Sequence, residues 1–312
     1  MKAPNNILVL RGGALGDFVL TLPVFAELRR QCPGIRIGCA GYPRVTALAA
    51  AAGLVDETFS LDAVDAARLF APDAFLSNGW RKRLGAYDTA VSYLHDPDGT
   101  VRRSLLRAGV KRVIAHSPFV TAGRAADHFL KPLAALGLAV PAGAVPRLRL
   151  DGHPAHQARE RMIPAAGKTV VLHPGSGGPE KNWPPGKFAT LFDRLRKSNV
   201  PAVFLIGEAE TGIADKLRAT MLGAPALQEP DLVRLAALLT AACAYVGNDS
   251  GVTHLAAAVG TSVVALFGPT DPGVWGPGGP NVQIIRAARP TKESLGEVPV
   301  ETVLRAVREK IT

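Results

Sequence analysis

The sequence predicts an α/β protein of two domains, each a mostly parallel sheet with helices on both faces. Three observations lead there. Short apolar runs recur, each followed by a polar, glycine-bearing turn and then by an apolar pattern of helical period. The alternation appears twice, before and after a stretch at 138–152 that carries two prolines and two glycines. The 312 residues are enough for two medium domains, and the 47% hydrophobic content includes only 6% aromatic residues, which suits Ala-rich helices on Val/Leu strands. The boundary is placed near residue 150.

In the first half, Ile7-Leu8-Val9-Leu10 reads as a strand buried on both faces. The turn 11–17 leads into a helix at 18–31, in which Pro23 lies close enough to the start to be tolerated. The turn does not make a dinucleotide fingerprint, because Arg11 stands where the first glycine of G-x-G-x-x-G is needed and only Gly13 and Gly16 keep the spacing. Strands are expected at 35–40, 57–60, 87–94 and 112–115. Helices are expected at 43–52, 62–70, 100–108 and 125–136, the last ending near Gly137.

In the second half, a helix at 156–162 precedes a strand at 169–172 and a long polar loop, His173-Pro174-Gly175-Ser176-Gly177-Gly178-Pro179-Glu180-Lys181-Asn182-Trp183-Pro184. A helix at 188–196, a strand at 202–206, an exit turn at 207–210, and helices at 213–221 and 231–241 follow. Then comes Val246-Gly247-Asn248-Asp249-Ser250-Gly251-Val252-Thr253-His254-Leu255, a strand running through a small-residue turn into a helix. A strand at 263–266, a polar loop at 267–272, a further strand at 282–285 and a terminal helix at 300–310 close the chain.

The chemistry concentrates in three places. At 248–251, free N–H groups and the helix dipole favour an anion, and Gly251 permits close approach. In the loop 173–184, Ser176 and the N–H groups near Gly177 and Gly178 suit phosphate oxygens, and Lys181 supplies a point charge. This is not a Walker A loop: Glu180 occupies the position of the glycine before the lysine, and Asn182 that of Ser/Thr. At the first helix start, Asp17 fits either an N-terminal cap or a general base. Asp249 and His254 fit a cap and a satisfied helix histidine as well as a ligand site. Glu208 and Glu210 follow a strand, where a carboxylate can accept from ribose hydroxyls. Trp183 reads as core.

A formal charge of +10 favours anionic partners. Between 80 and 131, ten basic residues, among them Arg81, Arg102 and Arg103, meet four aspartates. They read as solvated helix faces or as an electropositive wall for an acidic acceptor. No recognition module or stacking platform for nucleic acid appears. Three cysteines form no CxxC pair, which speaks against a disulfide framework or structural zinc site. The opening residues do not read as a signal peptide, and no apolar stretch reaches the ~20 residues of a membrane span. A cytoplasmic protein is expected, with basic residues able to dock it on a membrane surface.

Three segments together resemble glycosyltransferase family 9, the ADP-heptose:lipopolysaccharide heptosyltransferases: LVLRGGALGDFVLTLPVFAELR, VLHPGSGGPEKNWPPGKFATL and VGNDSGVTHLAAAVGTSVVALFGPTDPGVWGP. They stand in the family's order and spacing. The resemblance implies a GT-B architecture of two Rossmann-like domains with an interdomain cleft. Residues 1–150 would hold the acceptor and 151–297 the nucleotide sugar, with 298–312 a helix returning to the first domain. It implies an inverting, metal-independent transferase that needs no cofactor beyond its donor, ADP-heptose, and acts as a monomer on a lipopolysaccharide core or related acidic glycan or glycolipid at the inner membrane face. By motif position, Asp17 would be the general base and Lys181 the group stabilising leaving-group charge. Gly16, Ser176, Gly177, Glu208, Asp249, Ser250, Gly251 and His254 would complete donor binding. Arg81, Arg102 and Arg103 are the acceptor candidates. The first loop, Gly12-Gly13-Ala14, departs from the Ser-rich loop of many members. An epimerase of the same fold and a non-catalytic nucleotide-sugar-binding protein are the alternatives.

Overall fold

The computed structural model describes residues 4–311 apart from 73, 158, 162, 208–223 and 292. The chain divides into two units, Met1–Ala144 and Val145–Thr312.

The first unit is built on β1 (Asn6–Leu10), β2 (Arg36–Gly41), β3 (Glu57–Ser60), β4 (Thr89–Ser92) and β5 (Arg112–Ala115). Their order is β3-β2-β1-β4-β5, every pair parallel. Ile7 to Leu10 are fully buried, as a central strand covered by helices requires. The strand order reverses between β1 and β4. The crevice beyond the carboxyl ends of those strands is where open α/β sheets hold ligands.

Three elements differ from the sequence pattern. The strand expected at 87–94 keeps only Thr89–Ser92. The helix expected at 125–136 is two, Ala125–Leu130 and Pro132–Ala135, because Pro132 has no N–H to continue the first and starts the second. An unanticipated helix, Asn78–Leu84, is capped by the Ser77 hydroxyl, which accepts from the Trp80 N–H at 3.3 Å.

The second unit carries β6 (Val170–His173), β7 (Ala202–Leu205), β8 (Ala226–Leu227), β9 (Ala244–Asn248), β10 (Val263–Phe267) and β11 (Val282–Arg286). The order is β11-β10-β9-β6-β7-β8, again all parallel. Here the reversal lies between β6 and β9. The expected helix at 156–162 is a short turn of helix, Pro154–Gln157, followed by a 3-10 turn, Arg159–Arg161. The expected helix at 213–221, with Glu208 and Glu210, lies outside the described residues.

The first unit ends at Ala144 rather than at residue 150. Leu148 and Leu150 are buried, and the Leu148 N–H donates to the Ala258 carbonyl at 2.9 Å, which ties this stretch to the second unit. The terminal helix Val300–Ile311 also belongs there. Its Val303, Leu304, Ala306 and Val307 enter one core with Trp183, Phe188, Val246 and Leu266. Among the described residues, no helix is long and apolar enough to cross a membrane.

Candidate functional site

In the first unit, the chemistry gathers where β1 meets the helix Leu15–Gln31. Arg11, the residue after β1, is 3% exposed. Its guanidinium bonds the Asp17 carboxylate (Nη2–Oδ1 3.2 Å) and the Thr21 hydroxyl (Nε–Oγ1 3.1 Å), and lies 4.3 Å from the centroid of the Phe129 ring. Burial pushes the Arg11 guanidinium below its ordinary value, and the adjacent Asp17 charge pushes back. Asp17 takes a second bond at Oδ2, from the Ala14 N–H at 3.2 Å. That bond caps the helix, so the capping role anticipated for Asp17 is present. The side chain nevertheless stays 31% exposed. The result is a carboxylate fixed from two sides, open to solvent, at the ligand-binding end of the sheet. Gly13, at φ +97°, lets the loop turn tightly against it: a Cβ there would sit 3.0 Å from Asp17 Oδ2. Gly16 lies in the same first helical turn.

A pair of close imidazoles, tilted to one another, backs this end of the sheet. The His116 and His128 rings lie 4.4 Å apart, and the His116 ring meets the buried Tyr93 edge-on. Burial, with His128 beside it, pushes the His116 imidazole down.

In the second unit, β9 ends on Asn248, and the next residue, Asp249, is 7% exposed. Lys181 Nζ reaches Asp249 Oδ2 at 2.8 Å, although the two lie 68 positions apart. Asn248 sets up that meeting. Its Oδ1 accepts from the Trp183 N–H at 2.9 Å and its Nδ2 donates to the Pro174 carbonyl at 2.8 Å, which pins both ends of the glycine-rich loop to the end of β9. Trp183 is fully buried, as expected. Ser250 then caps the helix Gly251–Ala258 by accepting from the Thr253 N–H at 3.3 Å. The Thr253 hydroxyl bonds back to the Asn248 carbonyl and to the Tyr245 phenol, which in turn meets His173 Nδ1 at 3.0 Å. The turn is thus a rigid polar knot under a helix start, with an ammonium beside it. First-turn N–H groups and a cation together suit an anion.

The structure brings Lys181, Asp249, Ser250 and Gly251 together through Asn248. Ser176 is turned inward: its hydroxyl donates to the Gly178 carbonyl at 2.6 Å and accepts the Gly178 N–H at 3.2 Å. It shapes the loop, and Gly177 is the exposed crest. His254 is buried in the helix, 5% exposed. Glu208 lies outside the described residues. Arg102 and Arg103 stand on the helix Thr100–Arg107, whose start is held by Asp96 accepting from the Val101 and Arg102 N–H groups, both at 3.0 Å. Arg81 stands on Asn78–Leu84. Two residues escaped the sequence reading, Arg11 and Asn248. Their common signal is a polar side chain immediately at the end of an apolar strand, a position that in these sheets faces the ligand crevice.

The model of glycosyltransferase family 9 (heptosyltransferase) matches residues 129–303, more than half of the chain. The chain belongs to glycosyltransferase family 9. It is 28% identical over 301 residues to lipopolysaccharide heptosyltransferase 1 of Pseudomonas aeruginosa, covering 87% of this chain and 81% of that one. Among solved structures, the glycosyl transferase family 9 protein of Veillonella parvula superposes with a TM-score of 0.82 at 20% identity, covering 100% of this chain and 98% of that one. E. coli heptosyltransferase WaaC with ADP gives 0.74 at 20% identity, covering 98% and 99%. The fold of this family 9 glycosyltransferase, two Rossmann-like parallel-sheet domains, matches the GT-B heptosyltransferases.

Proposed function

We propose that this glycosyltransferase moves a heptosyl residue from ADP-heptose to an acidic glycan of the lipopolysaccharide-core kind, with inversion and without a metal. The observation that carries the reading is the Lys181–Asp249 pair, 2.8 Å long, beside the start of the helix Gly251–Ala258. The name of the P. aeruginosa relative and the ADP held by the E. coli WaaC structure support the donor.

Each unit contributes one half of the chemistry. Asp17 accepts the proton of the acceptor hydroxyl as that oxygen bonds to the anomeric carbon. The bond from that carbon to the diphosphate oxygen breaks on the opposite face, and the electron pair leaves with ADP. Lys181 and the N–H groups at Ser250 and Gly251 meet the charge as it grows, which favours the transition state over the bound donor. Asp249 holds Lys181 in place. Glu208 is assigned to the ribose, and Gly16, Ser176, Gly177 and His254 to shaping the donor site.

The test is nucleotide release from ADP-heptose, GDP-sugars and UDP-sugars, with and without deacylated core acceptors, in the presence of a chelator. ADP release that depends on ADP-heptose and on acceptor is the expected result. Tight ADP binding without turnover of any donor would favour a binding protein.

A further inference from the structure

The first unit holds an exposed aromatic ring with no part in the steps above. Leu10, Ser92 and Ala115 lie side by side in register, so Arg11, Tyr93 and His116 begin a row of loops at the carboxyl ends of β1, β4 and β5. The loops after β4 and β5 meet through the rings of His95 and Phe119, with centroids 5.2 Å apart and planes inclined by 67°. Both side chains are exposed, Phe119 at 60%. An apolar ring left in water forgoes the stabilisation that burial would give it.

The loop that presents this ring is firmly held. The Phe119 N–H donates to the Ser117 hydroxyl at 3.1 Å, and that hydroxyl donates to the Phe119 carbonyl at 3.2 Å. The Ser117 carbonyl accepts from His128 Nε2 at 2.9 Å, and His116 Nε2 donates to the His128 carbonyl at 3.1 Å. The Tyr93 ring meets both His116 and Phe129 edge-to-face, and Phe129 carries the Arg11 guanidinium. The turn that presents Phe119 and the arginine that fixes Asp17 are therefore anchored in the same cluster of rings. β1 and β5 are two strand spacings apart, roughly 10 Å, a gap that one sugar ring with its hydroxyls spans.

We propose that Phe119, with His95 against it, is the platform on which the acceptor sugar stacks. Ring C–H bonds of the pyranose unit that bears the attacking hydroxyl lie on the phenyl face, and His95 hydrogen-bonds another hydroxyl of the same unit. The proposal rests on the transfer reading above. A pyranose has a face of C–H bonds and a rim of hydroxyls, so an apolar ring beside a polar planar one matches both parts. An axial hydroxyl on the stacked face would lift the sugar off the phenyl ring. Phe119 therefore determines which acceptor ring is taken.

The test is calorimetric titration of a deacylated lipopolysaccharide-core oligosaccharide, and separately of ADP, into the full chain and its variants. Phe119→Ala is expected to weaken oligosaccharide binding roughly tenfold with ADP affinity unchanged, and Phe119→Tyr to keep the wild-type affinity. His95→Ala should lose about three- to tenfold. Initial rates should show the same changes in the acceptor KM and none in the donor KM. Phe75→Ala removes another ring of the first unit, 79% exposed, and leaves oligosaccharide affinity at the wild-type value. Circular dichroism confirms that each variant is folded. If the wild type transfers to the oligosaccharide but Phe119→Ala binds it equally well, or Phe75→Ala loses as much as Phe119→Ala, the platform is overturned and the transfer reading stands. A wild type that binds no saccharide acceptor overturns both.

Discussion

In the first unit the cation is inside and the carboxylate looks out: the Arg11 side chain is 2% exposed and that of Asp17 31%. In the second unit the arrangement is inverted, with Asp249 at 8% and Lys181 at 32%. Both buried members directly follow a central strand, Arg11 after β1 and Asp249 after β9. The exposed members come from elsewhere, Asp17 from the first turn of the helix Leu15–Gln31 and Lys181 from the loop that follows β6. The buried charge fixes the geometry, and in the proposed reaction the exposed charge would meet the substrate. In the proposed reaction one unit would present a proton acceptor at the end of its first strand, β1, and the other an anion receptor at the end of its fourth, β9, each through the same kind of pair. A buried ion pair is a weak source of net stability, so the value of each pair lies in holding its outer partner still.

The comparison breaks first at Asp17. Replacing it with Asn keeps the shape but removes the base and the counter-charge of the buried Arg11, since one amide oxygen cannot serve both Arg11 and the Ala14 N–H; turnover is expected to fall by about 10²–10⁴ and the melting temperature to drop. Steady-state release of ADP alongside a thermal melt reads both. Lys181→Met should lower turnover by about 10²–10³ and, unlike Asp17→Asn, also weaken ADP binding. It leaves Asp249 buried without its partner, so it should also melt lower. Adding Asp249→Asn should restore stability without restoring activity.

Arg11→Met tests the buried side of the first pair. It removes charge-assisted bonds and the stack on Phe129, an expected loss of about 1–3 kcal/mol in denaturant titration, with activity reduced through a mobile Asp17. Gly13→Ala should cost about 1–3 kcal/mol, since φ +97° is strained for a side chain, and should disturb Asp17 through its own Cβ. The smallest effect is the pH response of the backing histidines. The folded His116 value is depressed, so the unfolded chain takes up a proton first. Stability from this group is whole above the unfolded value of about 6.5 and is lost as pH falls through the lower folded value. Melts across that window should slope downward toward acid, and His116→Gln should flatten them.

How much was legible depends on where the information sits. Ile7–Leu10 announces itself because a strand covered on both faces is apolar at every position. The turn at Ser250 was legible because its cap and its helix are adjacent in sequence. The helix Asn78–Leu84 was not, because only Leu84 is buried and no apolar period marks it. Ala226–Leu227 is too short to carry a pattern. Arg11 was passed over because arginine is seldom buried, and the ring that stacks on it, Phe129, is remote in sequence. The Lys181–Asp249 pair is likewise a long-range fact, as is the bridging by Asn248. Ser176 looked like a ligand donor, yet both of its bonds go to Gly178. The motifs located the chemistry, and the partners that hold it in place came from the fold.

The division of labour between the two pairs is tested most directly by titrating ADP into Asp17→Asn and Lys181→Met by calorimetry and measuring turnover on the same preparations. The account predicts that Asp17→Asn binds ADP like the wild type and transfers almost nothing, while Lys181→Met loses both affinity and turnover. Asp17→Asn retaining wild-type turnover, or Lys181→Met binding ADP unchanged, would contradict it.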